Sequence, residues 1–172
     1  MNRNRKYIFL ALLTSGALIL SLIEGMIPFP FVAPGAKLGL PNMITLVVIV
    51  LFGFKSGMTV AILRTILFLL VAGNVAGFLY SLSGAVLSTI IMAIAYRYFS
   101  GLFSLIGISL FGAMAHNTAQ VMTAALVVQN IRILSYLPIM YLVSLFTGCF
   151  VGYATIFIVN NLQKQFQIMK WS

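Results

Sequence analysis

Residues 7–42 read YIFLALLTSGALILSLIEGMIPFPFVAPGAKLGLPN. The stretch opens on an apolar run of the length that crosses a bilayer, about 20 residues at roughly 1.5 Å each. It then breaks. Pro28, Pro30 and Pro34 exclude helix, Gly35 and Gly39 permit tight turns, and Pro41-Asn42 is expected to start a second helix. Glu24, the only acidic residue of the chain, stands near the end of the run, and Lys37 lies in the connection. Non-helical backbone beside two membrane helices is tolerated where protein buries it or where it lines a cavity. The connection is therefore expected to fold over the mouth of a pocket, as a lid formed around Glu24, Pro34, Gly35 and Gly39.

Outward from this stretch, five more apolar runs follow, at about Leu40–Phe54, Gly57–Val71, Gly77–Tyr96, Leu105–Val128 and Leu137–Val159. The fold class is all-α integral membrane, a single domain over residues 1–172 with six transmembrane helices. The second and third runs are short for a full crossing, so their ends are the least defined. The composition agrees, with 62% hydrophobic and 6% charged residues and a mean hydropathy of +1.15. The basic start, Arg3 to Lys6, resembles a secretory signal, but no small-x-small cleavage site follows, and the first run is expected to be retained.

The net charge of +9 would suggest nucleic acid in a soluble chain. Here the basic residues stand singly between apolar runs, as topology signals do. With the N-terminus in the cytoplasm, Arg3, Arg5, Lys6, Lys55, Arg97, Lys164 and Lys170 fall inside, and only Lys37 and Arg132 fall outside. Both termini are thus expected to be cytoplasmic, in a multi-pass protein of the cell membrane, the bacterial cytoplasmic membrane being the expected one. Cys149, the only cysteine, reads as a small apolar residue.

The inventory excludes several chemistries. One acidic side chain cannot form a carboxylate pair for acid-base catalysis or a clustered magnesium site, and one His with one Cys cannot build a zinc site. No phosphate-cradling G-x-x-x-x-G-K-[ST] sequence is present. No catalytic residue, cofactor or metal is expected, and ATP-driven work would need a partner.

The polar residues inside the runs are few and specific. Arg64 stands about seven residues into the third run, roughly 10 Å from its cytoplasmic end. A charge at such depth costs about 2.5–3.5 kcal/mol on insertion scales, so it is either a structural cation capping carbonyls or a partner for an anionic ligand. Glu24 should sit roughly 25 Å along the first helix. On that reckoning a Glu24–Lys37 contact is expected ahead of a Glu24–Arg64 pair, with a solvated interfacial carboxylate as the alternative. In AHNTAQ, residues 115–120, His116 and Gln120 share one face and Asn117 neighbours Gln120. These three either line a ligand cavity or join helices by hydrogen bonds. Asn74 reads as a cap or turn residue. Small residues at Ala17, Ser21 and Gly25, and at Gly107 and Ala115 around Phe111, read as packing faces.

SLIEGMIPFPFVAPGAKLGLPN, the Arg64 helix, Ser81-Leu82-Ser83-Gly84, GISLFGAMAHNTAQ and YLPIMYLVSLFTG together resemble the Gx transporter family, also called heptaprenyl diphosphate synthase component I. The resemblance covers nearly the whole chain. It rests on Pro34, Gly35, Lys37, Leu38, Gly39 and Asn42 in the connection and on Gly112, Ala113, His116, Asn117 and Gln120 in the fifth helix. The family is similar in turn to the S components of energy-coupling factor transporters, six-helix proteins whose outward pocket is closed by the connection after the first helix. That resemblance implies a substrate-binding membrane subunit, docked on a membrane coupling protein driven by two cytoplasmic ATPases. The pocket is expected to be lined by Lys37, Asn42, Arg64, His116, Asn117 and Gln120, and with Lys37 and Arg64 facing it the small substrate is expected to be anionic or amphipathic, such as an isoprenoid precursor or vitamin. S components dock through small residues on the first helix. Ala11 and Ser15, or Ala17 and Ser21, are the candidates, although the usual AxxxA form is absent. Pro41 stands where the family carries Ala, a departure that bears on how the second helix begins. The synthase name opens two alternatives, a non-catalytic membrane anchor of a prenyl diphosphate synthase and a stand-alone facilitator. The chain itself has no aspartate with which to hold Mg²⁺ for chain elongation.

Overall fold

The computed structural model describes residues 3–26 and 39–171, with side chains through Gln165. The described residues form six α-helices and a 3₁₀ turn: α1 Arg3–Met26, α2 Asn42–Phe52, α3 Phe54–Ala72, α4 Val75–Phe99, α5 Leu105–Val128, the 3₁₀ turn Ile131–Tyr136, and α6 Leu137–Trp171. Four segments are long and apolar enough to cross a membrane: α1, α3, α4, and the 3₁₀ turn with α6. With α5 as long as α1, the chain is a multi-pass membrane protein of six helices.

The shortest helix is the central one. α2 has 11 residues, roughly 16 Å, too few to cross a bilayer alone. It touches all five other helices, and Thr45, Leu46, Val47, Val48 and Ile49 are buried in succession. A helix that is apolar on every side has no solvent or lipid face to offer and must be enclosed by protein. The others stand around it in the order α1, α3, α4, α5, α6, each against the next.

Helix ends follow local chemistry. Pro41 precedes the first residue of α2, where its fixed φ is already helical and its missing N–H costs nothing. Gly53 alone separates α2 from α3, at φ 83°, a conformation that a side chain would strain. Asn74 caps α4 by accepting the Gly77 amide at 2.8 Å, as the sequence indicates.

Three expectations need correction. The sixth helix does not end at Val159 but continues to Trp171. Asn160, Asn161, Gln163 and Lys164 end an apolar run, but outside a bilayer they do not end a helix. Second, Gly107 of the expected fifth-helix packing face lies against Phe103 of its own helix end. The close approach is made instead by Gly148 and Gly152 of α6, where an added Cβ would come within 2.9 Å of the Leu110 Cα and 2.5 Å of the Ile106 Cα. Third, Ala17 and Ser21 cannot be partner contacts, because the protein's own packing leaves them 0% and 1% exposed.

Candidate functional site

The site is built where α1, the start of α2, α3 and α5 bring polar groups into the interior. Glu24, expected at an outer surface, is 4% exposed. Its Oε1 accepts the backbone N–H of Gly39 and, at 3.4 Å, that of Leu40. A carboxylate can stay ionised away from water when backbone donors surround it. Glu24 thereby ties the last described residues of the connection to α1.

Arg64 is brought to the same region, against the depth expectation. Its Nη1 donates to the Ser21 hydroxyl at 3.0 Å, one turn before Glu24, and it lies within electrostatic reach of the Glu24 charge. The difference is one of register. α3 starts at Phe54, three residues earlier than the apolar run, and Phe68 of α3 packs at Gly25 of α1. The two parallel helices are therefore offset, so that the middle of α3 meets the outer part of α1. Ser21 in turn donates to the Ala17 carbonyl at 2.9 Å, which leaves its oxygen free to accept from Arg64. Arg64 is 3% exposed, and its Nε and Nη2 have no hydrogen-bond partner among the described residues.

Asn42 and His116 complete the layer. Gly39, at φ 80°, accepts the Asn42 amide N–H at 2.9 Å. A Cβ on Gly39 would stand 2.9 Å from the Asn42 side-chain nitrogen and 3.5 Å from the His116 ring. Only glycine fits between them. On the other side of that ring, an added Cβ on Gly84 would lie 2.7 Å from its Cε1 and 2.8 Å from its Nδ1. Gly84 of α4 is thus the bed of the imidazole. Asn42 is 4% exposed, and its Oδ1 and Nδ2 are both without a hydrogen-bond partner among the described residues.

Asn117 belongs elsewhere. Its amide nitrogen donates to the Met140 carbonyl at 3.2 Å and to the Ser144 hydroxyl at 2.8 Å, so both its donors join α5 to α6. His116 and Gln120 are buried at 3% and 2% exposure. The sequence-derived set therefore divides: Glu24, Gly39, Asn42, Arg64 and His116 are brought together, Gln120 continues the same face of α5 one turn outward, and Asn117 turns to α6. Lys37, Pro34, Gly35 and most of the expected lid lie outside the described residues.

A cavity of about 340 Å³ opens one helical turn further out. Tyr80 stands one turn before Gly84, and Ala124 one turn after Gln120. Both line it, with Arg132 and Tyr136 from the 3₁₀ turn. Sequence reading missed this cavity. By sequence Arg132 reads only as a topology signal, and its spacing from Tyr136, four residues on beside a run boundary, is the local sign of the cavity. Among the described residues, no group of three His, Cys, Asp or Glu could hold a metal ion.

Six apolar helices around a desolvated polar layer define the class, a multi-pass membrane protein with a polar interior. Within that class, the family model of heptaprenyl diphosphate synthase component I matches residues 13–158, and the chain belongs to this family. The family name describes one component of a synthase, and so implies a partner component. Searches of curated proteins and of solved structures found no match.

Proposed function

We propose that the chain is the substrate-binding membrane subunit of an uptake transporter of the energy-coupling factor type. It receives a small anionic or amphipathic molecule, such as an isoprenoid precursor or a vitamin, from the outer side. The observation that carries this reading is the pair Asn42 and Arg64. Four of their side-chain nitrogen and oxygen atoms are buried without a hydrogen-bond partner among the described residues. Leaving such groups unmade costs about 1–3 kcal/mol each, more for a charged one. A ligand bringing oxygen acceptors to the Arg64 Nε and Nη2 and to the Asn42 Nδ2 would satisfy three of the four, and a ligand hydroxyl could donate to the Asn42 Oδ1. Arg132 and Tyr136 at the outer cavity supply a first contact for the anionic end, and the apolar walls accept a hydrocarbon body.

The chain carries no nucleotide-binding motif, so uphill transport is assigned to a membrane coupling protein and two cytoplasmic ATPases. Calorimetric titration of the protein in nanodiscs with prenyl phosphates and with acidic vitamins tests the binding reading. Wild-type protein should bind one of these classes. Asn42→Ala and Arg64→Ala should each weaken that binding at least about tenfold, the worth of one charge-assisted hydrogen bond. Equal binding by all three proteins would show that these residues are not the site.

A second reading, a non-catalytic membrane anchor for a prenyl diphosphate synthase, is favoured by the family name and by the end of α6. From Asn160 to Trp171 that helix runs on for roughly 18 Å past its apolar part, long enough to stand clear of a membrane and meet a soluble protein. The anchor reading requires co-purification with the synthase and indifference to substitution at Asn42, Arg64 and His116.

A further inference from the structure

A second concavity lies at the opposite end of the molecule, between the cytoplasmic halves of α1 and α3. It measures about 490 Å³. Lys6 and Lys55 both line it, close to the α2–α3 turn, and Leu10, Leu63 and Leu67 form its apolar length. We propose that this groove binds one anionic phospholipid of the inner leaflet. The phosphate would sit between Lys6 and Lys55, and one acyl chain would lie along the two helices.

Charge is the first ground. The two ammonium groups share one groove, and no acidic side chain among the described residues lines it. The chain's only acidic side chain, Glu24, is engaged with the Gly39 and Leu40 amides, 18 residues further along α1 from Lys6, or about 27 Å. Lys6 has the Phe52 ring 5.7 Å away, and a lipid phosphate would supply the counter-ion for both lysines. Basic pockets between membrane helices on the cytoplasmic side are suited to anionic lipid head groups for this reason.

Length is the second ground. From Lys55 to Leu67 the groove follows α3 for 12 residues, about 18 Å. One leaflet of hydrocarbon is about 15 Å deep, half of the bilayer core. The groove therefore begins at the inner interface and ends near the midplane.

The hydroxyls of the groove decide its selectivity. Thr14, Ser15, Ser56 and Thr59 donate to the carbonyls of Leu10, Ala11, Phe52 and Lys55, at 2.7, 3.1, 3.1 and 2.9 Å. Their protons are spent within their own helices, so they offer no donor to a head group. Recognition then rests on the two charges, with the Tyr7 phenol beside Lys6 as the other side-chain donor, and any anionic phospholipid should be preferred to a zwitterionic one. Ala11 and Ser15, partner contacts in the sequence reading, are exposed here and small enough to leave the groove open.

The site is independent of the substrate reading, and its test does not use the outer cavity. Full-length protein is delipidated in mild detergent and titrated with phosphatidylglycerol or with phosphatidylcholine of the same chains, and bound lipid is counted by native mass spectrometry. One phosphatidylglycerol should be retained with roughly tenfold preference or more, as two interfacial lysines provide. Lys6→Gln with Lys55→Gln should abolish the preference, whereas Arg3→Gln with Arg5→Gln should keep it. Ala11→Phe, which fills the groove and spares both lysines, should lower retention without loss of the folded protein in a thermal scan. Equal retention of the two lipids by wild type, or a preference that survives the double lysine change, would overturn the proposal. So would a preference lost equally with Arg3 and Arg5.

Discussion

Glu24 does two things with one carboxylate. Its Oε1 accepts the Gly39 and Leu40 amides, and its charge stands within reach of the buried Arg64. The two roles separate by substitution. Glu24→Gln keeps an acceptor for the amides but leaves Arg64 without a compensating charge, and should cost about 1–3 kcal/mol. Glu24→Ala leaves a buried amide unmet and Arg64 without a compensating charge, and should cost about 3–5 kcal/mol. Thermal unfolding in detergent checks the order, and equal losses would mean that charge alone matters. Glu24, Arg64, Asn42 and His116 were all legible as special residues, because polar groups inside apolar runs are expensive and few. Their neighbours were not. Glu24 meets Arg64 through an offset of two parallel helices, and a register between helices leaves no local trace in either one. Gly84 as the bed of His116 was hidden for the same reason, since a glycine records a close approach without naming the partner.

At the level of elements, the six helices were readable because each buries or spans with an apolar run, and α5 agrees with its run at both ends. The errors fall where a run and a helix are different things. Gly53 alone divides α2 from α3, so hydropathy lost the first turn of α3. Polar residues follow Val159 while the helix continues, so hydropathy lost the last turns of α6. The seam between α5 and α6 rests on Gly148 and Gly152 meeting Leu110 and Ile106 backbone, with Asn117 bridging to Ser144 at 2.8 Å. Backbone contacted at a glycine cannot yield as a flexible side chain can. Gly152→Val should therefore destabilise by about 1–3 kcal/mol or more, through overpacking. The same change at Gly101, where an added Cβ meets nothing within 4 Å, should be mild by comparison. Detergent unfolding of the two variants side by side measures the difference.

Across the whole molecule, the polar groups are sorted by height. Seven of the ten basic residues fall on the side of both termini, a distribution that orients the bundle with the Glu24–Asn42–Arg64–His116 layer toward the outer half. The shortest helix is enclosed by the five others and contributes Asn42 at its outer end, so the layer is anchored on the most enclosed helix. An inner groove rimmed by Lys6 and Lys55 lies at the opposite end, away from the outer cavity. Composition alone conveyed the class, and the motifs around Gly39 and His116 conveyed the family. The sequence left the anchor and transport readings open, because both use the same apolar scaffold. They part on what the interior holds. Native mass spectrometry of the gently solubilised full-length protein asks this directly, beside Asn42→Ala and Arg64→Ala. The account requires a small anionic molecule retained by wild type and absent from both variants, with ATPase subunits among the co-isolated proteins. An empty wild-type protein, isolated in fixed ratio with a prenyl synthase, would refute it.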